Sequence, residues 1–235
     1  MSNDYFQFKH FTVHQSRCAM KVGTDGTLLG AWASIPSEGG RLLDIGTGTG
    51  LIALMLAQRA PQAVVTGIDI DTNAVLQARE NVLASPFAER VSIEEADATN
   101  YKGEPFDAIV CNPPFFVQSL ACPDDQRTMA RHSTLLTYEG LMRSAFRLLT
   151  GKGTLSVIIP FNCRSKLESE ASLVGFFKSR ICAVKTTPNK QPKRYLIEFR
   201  KYPVIKLDMS EQVIESSPHK KSEWYYKITK DFYIK

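Results

Sequence analysis

Short apolar, β-branched runs alternate along this chain with segments whose apolar residues recur at helical spacing. Residues 41–46 (RLLDIG), 64–70, 91–95, 106–111 and 154–160 (TLSVIIP) predict strands. Residues 51–59 (LIALMLAQR), 72–84, 138–150 and 164–178 predict helices, with Gly151 and Gly153 placed to stop the third. Residues 181–187 and 195–201 read as a final strand pair, joined by a turn-rich, positively charged loop over 188–193. This β-α-β alternation predicts an α/β fold built on a doubly wound sheet. A single domain is expected over residues 1–235. Residues 1–40 precede the first strand of the alternation and would cap the sheet edge, residues 41–201 form the Rossmann-like core, and 202–235 carry basic and aromatic side chains without a pattern that fixes an element. No repeat and no low-complexity segment interrupts this order.

Composition narrows the class. The chain has 235 residues, 43% of them hydrophobic and 23% charged, which is ordinary globular usage. No apolar run reaches the roughly 20 residues of a membrane span. The start, MSNDYFQFKHF, lacks the basic and apolar regions of a secretory signal. Cys18, Cys111, Cys122, Cys163 and Cys182 are odd in number and never at C-x-x-C spacing, and His10, His14, His132 and His219 are not at metal-ligand spacing. No metal site and no disulfide framework are expected, and a reducing cytoplasmic compartment fits. The net charge of +5 is uneven: residues 185–235 carry 12 Lys/Arg against 6 Asp/Glu, and the rest is close to neutral. A basic C-terminal fifth fits a polyanionic partner met at one end, and equally a solubilising tail.

In a doubly wound sheet, ligands sit beyond the carboxyl ends of the strands. Asp44-Ile45-Gly46-Thr47-Gly48-Thr49-Gly50 occupies that place, between the first strand of the alternation and its helix. Its glycines allow a sharp turn and a close approach to a ligand. The spacing is G-x-G-x-G, not the G-x-G-x-x-G of dinucleotide binders. Asp69 ends the next strand, where an acid can bind two ribose hydroxyls. Asp97 ends the third, within reach of a bound adenine. These residues resemble the seven-strand S-adenosylmethionine-dependent methyltransferases. The resemblance implies a seven-stranded mixed sheet with its last strand antiparallel, and S-adenosyl-L-methionine as cofactor. It also implies cofactor contacts from Asp44, Gly46, Gly48, Asp69, Asp97 and Ala98.

Asn112-Pro113-Pro114-Phe115 follows the fourth strand. Two prolines stiffen a loop at the ligand edge of the sheet. An amide-like or aryl amine nitrogen is a poor nucleophile because its lone pair is delocalised. The Asn112 carboxamide oxygen and the Pro113 carbonyl could each accept one of its N–H bonds and hold it as it pyramidalises. Phe115 could stack on a planar acceptor. Alignment and electrostatics would supply most of the rate. N-P-P-[YF] is similar to the motif of amino-group methyltransferases, which act on adenine, cytosine or glutamine side-chain nitrogens.

The N-terminal run from Phe6 to Phe11, then Arg17-Cys18-Ala19-Met20-Lys21-Val22-Gly23-Thr24-Asp25-Gly26, resembles the opening of the bacterial tRNA-Val N6-adenine methyltransferases, which modify adenine 37 of the anticodon loop. The likeness runs on through the glycine turn, residues 81–90 (NVLASPFAER), N-P-P-F and residues 127–132 (RTMARH). It implies that Thr24 and Asp25 lie near the methionine end of the cofactor, and that tRNA is the partner. Phe115 stands where many relatives carry Tyr, so a hydroxyl contact is lost and stacking kept. An RNA acceptor also fits Lys190, Lys193 and Arg194 at the last hairpin. An anticodon-loop base is already single-stranded, which lowers the cost of extruding it. Trp224, Tyr225, Tyr226, Phe232 and Tyr233 could stack RNA or dock the terminal segment on the core. Arg131 and His132 could touch the acceptor strand or lie in a surface loop. The rival readings are glutamine methylation of a protein through the same loop, a non-catalytic RNA-binding module, and a dinucleotide oxidoreductase. The glycine spacing and N-P-P-F disfavour the last.

Overall fold

The computed structural model describes residues 3–18, 20–113 and 136–234. Pro114, Phe115, Cys122, Arg127, Arg131 and His132 lie outside them.

The parallel core forms where the apolar runs require it. Strands β3 (Gly40–Ile45), β4 (Ala63–Asp69), β5 (Val91–Glu95), β6 (Phe106–Cys111) and β7 (Leu149–Pro160) lie side by side in the order β5-β4-β3-β6-β7, all parallel. Strand β9 (Arg194–Arg200) runs antiparallel between β7 and β8 (Phe177–Lys185). The antiparallel member of the final strand pair is thus where it was expected. Among the described residues the sheet nevertheless has eight strands, not seven, because β10 (Asp208–Val213) adds itself parallel to β8 at the edge. Its sequence, DMSEQV, has no apolar face and is exposed over its first four residues, so no alternation marks it.

Side chains of the central strands alternate between two cores. Leu42, Val65, Ala108, Val110, Ile158 and Leu196 face one, and Leu43, Ile45, Ile109, Val157, Ile159 and Ile197 the other. The first is covered by α1 (Thr24–Trp32), α2 (Leu51–Arg59) and α3 (Thr72–Leu83). The second is covered by α4 (Tyr138–Leu148) and α5 (Arg164–Val174). The sheet is therefore sandwiched between helical layers, which is why its strands read as continuous apolar runs.

Two helices end earlier than periodicity suggests. The 138–150 reading overruns because Leu149 leaves α4 and pairs with Phe106 of β6, so β7 starts before Gly151 and Gly153. A Cβ at Gly153 would meet Leu149 Cδ2 at 2.7 Å, and glycine is what lets this irregular start pack. The 164–178 reading overruns because Gly175, with φ of 100°, stops α5, and Phe176 N–H bonds back to the Ala171 carbonyl.

The described part of residues 1–40 lies over a face of the sheet rather than its edge. Leu28, Leu29 and Trp32 of α1 enter the first core, and Arg180 of β8 lies 4.1 Å from the Trp32 ring centre. The hairpin β1 (Tyr5–Gln7) and β2 (Thr12–His14) packs with the C-terminal segment. There a small hairpin, β11 (Glu215–Ser217) with β12 (Lys220–Lys221), leads into α6 (Glu223–Thr229). Tyr225 and Phe232 are buried, Phe8 stacks on Tyr233, and Lys9 N–H bonds to the Phe232 carbonyl at 2.8 Å. The terminal aromatics dock on the core, except Tyr226, which is 59% exposed. Among the described residues no helix is long and apolar enough to cross a membrane.

Candidate active site

The strand order reverses between β3 and β6, and this is where a doubly wound sheet opens a crevice. Pairing of Ile45 with Cys111 brings Gly46 and Asn112 side by side at its mouth.

The glycine turn is built for φ values that other residues adopt at a cost. Gly46, Gly48 and Gly50 have φ of 71°, 55° and 80°. A Cβ at Gly46 or Gly48 would meet no atom within 4 Å, so the turn presents bare backbone to open space. Gly46 and Thr47 N–H both bond to the Ile68 carbonyl, and Gly48 N–H bonds to Asp69 Oδ2 at 2.8 Å. Asp44 holds the turn from below. Its Oδ2 accepts from Thr47 Oγ1 at 2.7 Å and from Ala53 N–H at 3.1 Å. Asp44 is fully buried and lines neither cavity described below, so its place is beneath the turn. Among the described residues its Oδ1 has no hydrogen-bond partner, and burial, aided by Asp69, pushes its carboxyl up to about 7.

A cavity of about 280 Å³ runs from the turn across the ends of β4 and β5. Ile45, Ile68, Ile70, Ala74 and Ala98 give it apolar walls, and Asp69 and Asp97 stand on its rim. Asp69 Oδ1 accepts from Asp71 N–H at 3.0 Å, so each of its oxygens carries one bond and keeps a lone pair for another donor. Asp97 instead closes a local turn, accepting from Thr99 N–H and Thr99 Oγ1. A second cavity of about 370 Å³ shares Met20, Gly46, Gly48 and Asn112 with the first. Thr24 and Asp25, in the first turn of α1, line it. So does Arg194, whose Nε lies 2.7 Å from Asp25 Oδ2.

Asn112 stands where the two cavities meet. Its Oδ1 is buried and finds no hydrogen-bond partner among the described residues. Pro113 beside it is buried. Pro114 and Phe115 fall outside the described residues. Neither nearby thiol is poised to ionise. Burial beside Asp69 and Asp71 pushes Cys18 up to about 11, and burial pushes Cys111 well above the ordinary thiol range.

The crevice thus unites Thr24, Asp25, Gly46, Gly48, Asp69, Asp97, Ala98 and Asn112, residues far apart in sequence. Lys190 and Lys193 stand exposed in the β8–β9 turn, on the same edge, whereas Arg194 is drawn into the second cavity. Sequence reasoning missed Ile70, whose signal was an apolar residue directly after a strand-end acid. It also missed Asn81, which is fully buried and ties β2 to the turn through bonds to His14 and the Thr49 carbonyl. No pattern announced that asparagine. Among the described residues, no group of three or more His, Cys, Asp or Glu could hold a metal ion.

The methyltransferase small domain matches residues 23–187. A protein of Parabacteroides distasonis named tRNA1(Val) (adenine(37)-N6)-methyltransferase is 47% identical over 238 residues, which cover 100% of each chain. Its namesake from Phocaeicola vulgatus is 48% identical over 235 residues, covering 100% of this chain and 99% of the relative. Among solved structures, a predicted O-methyltransferase of Agrobacterium tumefaciens superimposes with a TM-score of 0.70, covering 88% of this chain and 96% of its own. At 20% identity that likeness is one of fold.

Proposed function

The chain belongs to the methyltransferase small domain family, alongside full-length relatives named for tRNA1(Val) adenine-37, and from this we propose that it methylates N6 of adenine 37 in the anticodon loop of tRNA-Val. S-adenosylmethionine, when bound, supplies an electrophilic sulfonium methyl. The residues present suit that cofactor: a slot with apolar walls for the purine, carboxylates at its rim, and a turn whose bare backbone at Gly46 and Gly48 faces open space that a Cβ would occupy. Asp69 would receive the ribose hydroxyls on its remaining lone pairs, and Asp97 and Ala98 the adenine. Thr24 and Asp25 would meet the amino-acid end across Gly46 and Gly48. Asp44 would act by fixing the turn.

One observation carries the acceptor chemistry. The Asn112 oxygen is a buried acceptor without a donor among the described residues, placed where the two cavities join. Leaving such a group unpaired costs roughly 1–3 kcal/mol. An exocyclic amino group supplies the missing donor. Asn112 Oδ1 and the Pro113 carbonyl would take its two N–H bonds, draw the lone pair out of conjugation and aim it at the methyl. No strong base is required, because the ammonium formed loses its proton readily to water. From the motif's sequence alone, Pro114 would stiffen the loop and Phe115 would offer a face to the base.

The test is transfer of labelled methyl into total tRNA from a strain lacking this gene, followed by nucleoside analysis. Label in N6-methyladenosine is expected. Label confined to a protein fraction would move the acceptor to a glutamine amide.

A further inference from the structure

Phe161 follows the last residue of β7 on the carboxyl edge of the sheet, outside both cavities. Its ring lies on Tyr195, with centroids 5.4 Å apart and 19° between planes. The Arg164 guanidinium sits 4.8 Å from the centre of the same tyrosine ring. The Phe161 N–H donates to the Lys193 carbonyl at 3.0 Å. The backbone and one side of the ring are therefore held, yet the residue remains 46% exposed, while Tyr195 beneath it is 9% exposed. An isolated exposed phenylalanine needs no explanation. This one is held flat in a built stack, and it faces the working edge of the molecule.

Register sets its distance from the acceptor site. Cys111 pairs with Val157, so Phe161, just past the end of the neighbouring strand, lies about three residues beyond the level of Asn112. That is an offset of roughly 10 Å along the strand direction. That offset is short enough for a single strand with one base at Asn112 to bring an adjoining nucleotide to Phe161. We infer that Phe161 is a stacking platform for the base of a nucleotide flanking the target adenine, an inference that rests on RNA being the acceptor.

The surrounding charge suits a phosphate backbone. Lys190 and Lys193 are exposed in the turn whose carbonyl holds Phe161, and Lys166 is exposed on α5. Arg164 and Arg194 are balanced by Glu168 and Asp25, and Glu170 of α5 is the further acid nearby in sequence. The Arg164–Glu168 pair stiffens the stack, and the lysines, which form no ion pair among the described residues, supply the positive charge. Every base offers a π-face, so such a platform adds affinity without reading sequence.

The experiment uses the full chain and an anticodon stem-loop RNA carrying 2-aminopurine on one or other side of the target adenine. In the wild type, binding should quench one of the two probes through stacking. Phe161→Ala should abolish that quench and raise the RNA Kd about tenfold, while the melting shift given by S-adenosylmethionine stays unchanged. Phe161→Leu keeps packing on Tyr195 without an aromatic face and should behave like Phe161→Ala; Phe161→Trp should restore both signals. Wild-type affinity and quenching in Phe161→Ala and Phe161→Leu would overturn the platform. Failure of the wild type to methylate any RNA would instead overturn the reading beneath it.

Discussion

Asp44→Asn tests the electrostatics of the glycine turn. Burial pushes the folded carboxyl up to about 7 from its ordinary 3.8. Between these pH values the folded state holds a proton that the unfolded state has released, so this group makes stability fall as pH rises. The penalty is absent below the unfolded value and complete above the folded one. A difference of about three pK units corresponds to about 4 kcal/mol, accumulating at no more than about 1.4 kcal/mol per pH unit. Asparagine cannot ionise, and its oxygen can still accept from Thr47 Oγ1 and Ala53 N–H. Its NH₂ group takes the place of the unpartnered Oδ1, adding a destabilisation that does not vary with pH. The readout is therefore a slope. Melting curves of both proteins at pH 5, 6, 7 and 8 should show the variant gaining roughly 2–4 °C per pH unit relative to wild type up to pH 7, then levelling. Parallel melting profiles across that range would refute the argument that burial holds Asp44 protonated.

Three further outcomes follow from the geometry. Asn112→Ala should lower kcat by roughly 10²–10³-fold, with the calorimetric affinity for S-adenosylmethionine kept within about twofold; turnover near wild type would remove the amide from the chemistry. Asp69→Ala should weaken cofactor binding by about tenfold or more, since it loses two proposed ribose bonds and the anchor of Gly48; an unchanged Kd would dismiss the ribose assignment. Glu198 is fully buried and accepts from Ser179, Arg180 and Arg200, so Glu198→Ala removes an acceptor shared by one hydroxyl and two part-exposed guanidinium groups and should cost about 1–3 kcal/mol in denaturant unfolding. A loss below 1 kcal/mol would mean that water reaches this cluster.

What the sequence determined by itself was local. The strands over 91–95 and 106–111 and the helix over 51–59 have the predicted bounds, because strand and helix periods are written within a few neighbouring residues. The Gly46–Gly50 turn was legible for the same reason: a glycine's backbone freedom belongs to the residue. Asp69, Asp97 and Asn112 could be placed at strand ends one at a time. Their convergence could not be measured, since it follows from the pairing of Ile45 with Cys111 and of Ile45 with Ile68. Tertiary structure alone paired Arg194 with Asp25, buried Asp44 beneath its own turn, laid Phe161 on Tyr195 and recruited the polar β10 as an eighth strand. These depend on what packs against a residue from distant parts of the chain. Burial and partnership set the energy of a charge or an exposed ring, and neither is encoded in its neighbours along the sequence.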